Sequence, residues 1–193
     1  MKLAIVKYNA GNIRSVIFAL QRLGIEPILT DDHDELRSAD KVIFPGVGEA
    51  STTMSYLRER KLDQLIPSLT QPVFGICVGM QLMCKHSEEN DTDCMGIFDI
   101  GVKKFVGDQK VPHMGWNSIF NLDTPLFRLV KPNEYVYFVH SYYAELSEHT
   151  IAKTEYMTPF SAGLHRDNFY ASQFHPEKSG DVGSRILEGF LTL

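Results

Sequence analysis

Short apolar runs and amphipathic stretches alternate through the first half of the chain. Leu3 to Val6 reads as a strand, Asn12 to Leu23 as an amphipathic helix closed by Gly24, and Pro27 to Leu29 as a second strand. Val42 to Phe44 then gives a strand stopping at Pro45-Gly46, Ser51 to Arg60 a helix with a serine cap, and Val73 to Ile76 a strand running directly into another helix. Strands alternating with helices predict an α/β fold with a parallel, doubly wound sheet covered on both faces. In the second half, Tyr135 to Glu145, Ile151 to Glu155 and Phe169 to Phe174 read as consecutive strands and Val182 to Leu191 as a closing helix, so an antiparallel extension is expected. Phe18, Leu20, Leu23, Phe127, Leu129, Phe190 and Leu191 fall at core-like spacings. Ser87 to Asp93 is a polar, acidic loop of the kind that sits exposed.

Composition narrows the class of molecule. A chain of 193 residues fits one domain, 1–193, and 44% hydrophobic with 22% charged residues is ordinary for a globular protein. Neither a long apolar run nor a basic, apolar leader opens the sequence, so no membrane association and a cytoplasmic location are expected. A net charge of -5 argues against a surface built to neutralise phosphates, and no nucleic-acid partner is expected. The three cysteines, Cys77, Cys84 and Cys94, are odd in number and lack C-x-x-C spacing. That suggests neither a disulfide framework nor a structural metal, and leaves room for a reactive thiol.

Three segments carry candidate chemistry. In Val73-Phe74-Gly75-Ile76-Cys77-Val78-Gly79-Met80-Gln81, an apolar strand enters Gly-x-Cys-x-Gly and then a helix, the form of a nucleophile elbow. The turn needs small residues two positions either side of the nucleophile, which Gly75 and Gly79 supply. A helix start at Cys77 favours the thiolate, and the Val78 N–H is free to donate to a developing oxyanion. A cysteine closing a core strand is more often simply packed, so a second motif has to decide. Gln173-Phe174-His175-Pro176-Glu177 provides it. Proline biases His175 towards an extended backbone, and in an extended segment residues two apart share a side, so Glu177 can orient the ring while its other nitrogen faces Cys77. The third segment, Phe44-Pro45-Gly46-Val47-Gly48, follows a strand and should lie beside the elbow, where it can supply a second oxyanion N–H.

In this order and spacing, Pro45-Gly46-Val47-Gly48, Gly75-Ile76-Cys77-Val78-Gly79-Met80-Gln81 and Phe174-His175-Pro176-Glu177 resemble the class I glutamine amidotransferases, whose sheet is flavodoxin-like. Met80, Pro112-His113-Met114-Gly115-Trp116-Asn117, Phe138-Val139-His140-Ser141-Tyr142 and Tyr8-Asn9-Ala10-Gly11-Asn12 are most similar to the glutaminase subunits of imidazole glycerol phosphate synthases. The resemblance implies a glutamyl thioester on Cys77, proton transfer by His175 held by Glu177, and an oxyanion site at Val47, Gly48 and Val78. It further implies glutamine held by Gly48, Gln81, His140, Ser141 and Tyr142, and no cofactor. Asn12, Trp116 and Asn117 would face a (β/α)8-barrel cyclase that receives the ammonia and makes imidazole glycerol phosphate and AICAR. It also implies that the Gly46-Val47 peptide keeps its N–H out of the site until the partner responds. Val78 stands where leucine is commoner, which is harmless if its backbone is what serves. Three alternatives stay open: an amidotransferase of vitamin B6 or folate synthesis, a stand-alone γ-glutamyl hydrolase, and a silent binding subunit.

Overall fold

The computed structural model describes residues 1–8 and 13–193. Its first half runs β1 (Leu3–Val6), α1 (Ile13–Arg22), β2 (Ile28–Thr30), α2 (His33–Arg37), β3 (Lys41–Phe44), α3 (Ala50–Glu59), α4 (Leu62–Leu65), β4 (Val73–Ile76) and α5 (Val78–Met83). The second half continues with β5 (His86–Ser87), β6 (Thr92–Asp93), β7 (Gly101–Lys104), β8 (His113–Ile119), β9 (Glu134–His140), β10 (Tyr142–Ala144), β11 (Thr150–Tyr156), β12 (Thr158–Arg166), β13 (Phe169–Ser172) and α6 (Gly180–Leu191).

The main sheet has 7 strands in the order β11-β12-β13-β4-β3-β1-β2. From β2 through β1, β3 and β4 to β13 every pairing is parallel, the doubly wound arrangement that leaves a crevice beyond the carboxyl ends. The expected antiparallel extension is β13-β12-β11. Every residue of β1, β3 and β4 is buried, which is why these strands appear in the sequence as unbroken apolar runs rather than alternations. α6 closes the far side, with the Phe190 ring tilted against Phe74 of β4 at 5.2 Å between centroids.

Several expectations are corrected. The strand expected over Tyr135 to Glu145 breaks at Ser141, because β9 pairs with β8 while β10 leaves to pair with β7 in a second sheet. Phe18 and Leu129 are 55% and 38% exposed and belong to no core. Within Ser87 to Asp93, Ser87 and Thr92 are buried. No helix among the described residues is long and apolar enough to cross a membrane.

The cap of α3 is Glu49, not Ser51: its carboxylate accepts from the backbone N–H groups of Ser51 and Thr52 at 2.8 and 3.0 Å and from the Thr52 hydroxyl. Burial alone would raise the Glu49 pKa, but the hydrogen bonds from Thr52 and Ser51 outweigh it and lower the value from 4.5 to about 2. A depressed carboxyl pKa contributes stability above the unfolded value, and that contribution is lost as pH falls through the folded one. Urea unfolding of Glu49→Gln should therefore lack part of the loss of stability that the native chain shows between about pH 5 and pH 3. Identical slopes for the two proteins would show that the cap contributes nothing.

Candidate active site

Cys77 sits between β4 and α5 with φ 52° and ψ -106°, a conformation a non-glycine residue holds only at a cost of about 1–3 kcal/mol. Its N–H donates to Ser172 O of the neighbouring β13 at 2.7 Å, which ties the turn to the sheet. Glycines remove every side chain that would stand in the way. A Cβ on Gly79 would lie 2.2 Å from Phe44 O, and one on Gly46 would lie 2.2 Å from Gly79 N and 2.7 Å from Val78 N. At Gly75 it would meet Met83 Sδ at 2.8 Å. The loop after β3 thus rests backbone on backbone against the elbow.

His175 arrives from the end of β13, and its own backbone is held from three sides. Its N–H donates to Tyr137 O at 2.9 Å, and its carbonyl accepts from the Lys178 N–H at 3.0 Å and from the Ser179 hydroxyl at 2.6 Å. The ring Nδ1 is 2.8 Å from Glu177 Oε1, both side chains being almost fully buried. Glu177 reaches the ring by a different route from the one its spacing suggests. Only His175 is extended, at φ -99° and ψ 97°, while Pro176–Lys178 folds into a 3-10 turn that brings the carboxylate back.

Among the described residues, the other Glu177 oxygen is buried without a hydrogen-bond partner. His175 Nε2 is likewise buried without a closed hydrogen bond, within electrostatic and hydrogen-bonding reach of the Cys77 sulfur. Burial alone would lower the His175 pKa, but the sulfur anion and Glu177 together raise it from 6.5 to about 10. The imidazolium is therefore the resting form of His175.

A cavity of about 330 Å³ opens over the sulfur. Val47, Gly48, Cys77, Val78, Gln81, His140, Ser141, Tyr142 and His175 all line it, so segments far apart in the chain meet as their motifs require. Gly48 has φ 146°, a backbone open to glycine and strained for other residues. Tyr8, just beyond β1, pins the same loop: its hydroxyl donates to Pro45 O and lies within reach of the Val47 N–H. Burial and the nearby sulfur raise the Tyr8 pKa, so it stays a donor.

Residues 5–192 match the family model of class-I glutamine amidotransferases. The chain belongs to that family. A Bacteroides thetaiotaomicron protein named imidazole glycerol phosphate synthase subunit HisH is 61% identical to this amidotransferase over 100% of both chains. A Shewanella sediminis protein of the same name is 43% identical over 98% of this chain and 89% of its own. The crystal structure of a glutamine amidotransferase from Thermotoga maritima shares the fold, with a TM-score of 0.69 at 16% identity over 100% of this chain and 83% of that one.

The amidotransferase site holds more than its motifs. Glu89, in the loop expected to be exposed, lines the cavity, and its carboxylate accepts from the Ala50 N–H at 2.8 Å. Gln173 is fully buried with its Nε2 3.6 Å from Cys77 Sγ. His113 and His140 form a second pair: His140 Nδ1 donates to Tyr142 O at 2.7 Å, and His140 Nε2 accepts from His113 Nδ1 at 2.9 Å. Burial lowers both, to about 3 for His140 and about 4 for His113, so each is neutral with a fixed tautomer. Both ring nitrogens of His140 are thereby occupied.

Of the residues expected at a partner surface, Trp116 is 55% exposed, whereas the Asn117 side chain is tied to Glu155 O at 2.9 Å and to His113 at 3.4 Å. Asn12 lies outside the described residues. Because the Gly79 contact is with backbone, it cannot relax by turning a side chain. Gly79→Ala should lose about 3 kcal/mol in urea unfolding, and a loss below 1 kcal/mol would mean the elbow yields more readily than its packing implies.

Proposed function

We propose that the chain is the glutamine-hydrolysing subunit of an imidazole glycerol phosphate synthase and feeds ammonia to a cyclase subunit in histidine biosynthesis. The observation that carries this reading is the cavity, where an activated cysteine, a buried His-Glu pair and polar walls converge. The named relatives aligned along the whole chain support the particular acceptor.

Glutamine enters with its amide carbon against the Cys77 sulfur. The carboxylate of Glu89 and the amide oxygen of Gln81 offer acceptors for its ammonium group, and the Gly48 and Ser141–Tyr142 walls hold its amino-acid end. Cys77 Sγ attacks the carbonyl carbon, and the oxygen takes up negative charge facing the Val78 N–H. His175 Nε2 then gives its proton to the departing nitrogen; the C–N bond breaks, ammonia leaves and a glutamyl thioester remains. The neutral imidazole next accepts a proton from water, the hydroxide adds to the thioester, and the C–S bond breaks to release glutamate. Glu177 holds the ring in the tautomer each step needs. The scheme requires no cofactor.

With the Tyr8 oxygen within reach of the Val47 N–H, the Val78 N–H is the donor left to carry the oxyanion, which supports slow turnover without a partner. A (β/α)8-barrel cyclase is the partner this reading implies, with Trp116 on the docking side and the complex at work in the cytoplasm. Unlinked hydrolysis would waste glutamine, because free ammonia is largely protonated and escapes at neutral pH. Loss of one oxyanion donor is worth about 10²–10³ in kcat. The isolated chain should accordingly hydrolyse glutamine about 10²-fold or more slowly than the complex with cyclase and its nucleotide substrate. Equal rates would remove the coupling. Cys77→Ala should abolish glutamine-dependent cyclisation in that complex while added ammonium salts still support it, and residual glutamine use would displace Cys77 as the nucleophile.

A further inference from the structure

Gln173 lies two residues before His175, is wholly buried, and heads the His-Pro-Glu segment without a role there. Its backbone is set by a bond from its N–H to Ala162 O at 2.9 Å. Its side chain spans two groups of opposite need, and the chemistry of its neighbours fixes which way round it stands. Tyr142 O is a carbonyl and can only accept; Gln81 Nε2 donates to it at 2.8 Å. The same Nε2 makes a second bond, at 3.0 Å, to the near end of Gln173. That end must accept, so it is the oxygen Oε1, and the far end of Gln173, 3.6 Å from Cys77 Sγ, is the NH2. A donor therefore points at the Cys77 sulfur, with its direction dictated through Gln81 by the Tyr142 carbonyl.

We propose that the Gln173 amide is a positioning residue for the nucleophile, donating a hydrogen bond that holds the Cys77 sulfur in place as the anion. This rests on the glutaminase reading above. A hydrogen bond from a neutral amide is stronger to a thiolate than to a thiol, so it favours the charged form and adds to the effect of the imidazolium. It also fills one side of the sulfur, leaving the side towards the cavity for the substrate carbon. Val139 O, 3.9 Å from the sulfur, offers only an acceptor and cannot do this.

The test is the pH dependence of alkylation of Cys77 by iodoacetamide in the full chain, read by peptide mass so that Cys84 and Cys94 are counted separately. In Gln173→Met, of similar volume and without a donor, the profile should move up by about one pH unit, an approximately tenfold slower reaction on its rising limb. The high-pH plateau should stay unchanged. Gln173→Glu keeps the acceptor for Gln81 and, once ionised, sets a negative charge beside the sulfur, so its profile should move further in the same direction. A purely packing role would lower the plateau or the melting temperature without moving the profile. Superimposable profiles in the folded variants would overturn the proposal.

In the unsubstituted protein, the Gln173 side-chain ¹⁵N–H resonances should titrate in step with the alkylation profile, and pH-independent resonances would also overturn it. A native profile as high as that of an ordinary thiol would instead overturn the nucleophile reading itself, which separates the two failures.

Discussion

The site exists because two stretches of main chain touch with nothing between them. The loop after β3 lies on the elbow after β4 so closely that a single methyl on Gly46 or Gly79 would overlap backbone atoms of the other stretch. The approach determines how far Val47 and Gly48 stand from Cys77, and so the width of the cavity over the sulfur. It also explains how the unfavourable φ of Cys77 persists: the turn is held by the sheet through Ser172 O on one side and by the Gly46 loop on the other. A strained residue survives where its surroundings leave it no alternative.

Around that contact the charges are arranged in a short series. Glu177 faces His175, His175 faces Cys77, and the buried imidazole between them keeps its proton because of these two neighbours. Water would weaken all of these interactions, and the near-complete burial of His175 and Glu177 keeps it out. The neighbouring His113-His140 pair is its opposite. It too is buried, but among the described residues no carboxylate stands beside it, so burial leaves both rings uncharged. Two histidine sites a few ångströms apart thus serve different ends through what each is packed against.

Much of this was legible in the order of residues, for identifiable reasons. β1, β3 and β4 are covered on both faces, so their apolar runs are uninterrupted, and the glycines at 46, 75 and 79 betray positions where no side chain fits. β12 escaped notice because its buried centre, Ser161-Ala162-Gly163, is small and partly polar. The break at Ser141 was hidden because both flanking strands look alike until their partners, β8 and β7, are known. Gln173, Glu89 and Tyr8 were invisible as site residues for another reason. Their partners, at Cys77, Ala50 and Pro45, lie in other elements, and no local pattern announces such an encounter. The spacing of His175 and Glu177 suggested an extended segment, whereas it is the turn beginning at Pro176 that brings the carboxylate to the ring.

Strand β8 has two unlike sides. Met114 and Trp116 stand bare on the outer one, while His113 and Asn117 on the inner one begin a relay through His140, the Tyr142 carbonyl, Gln81 and Gln173 to the sulfur. Each link pairs one giver with one taker, so no single member can be turned over without setting like against like further along. The row ties the inner side of β8, from Asn117 onward, to the sulfur by hydrogen bonds alone, with no charged group among its links.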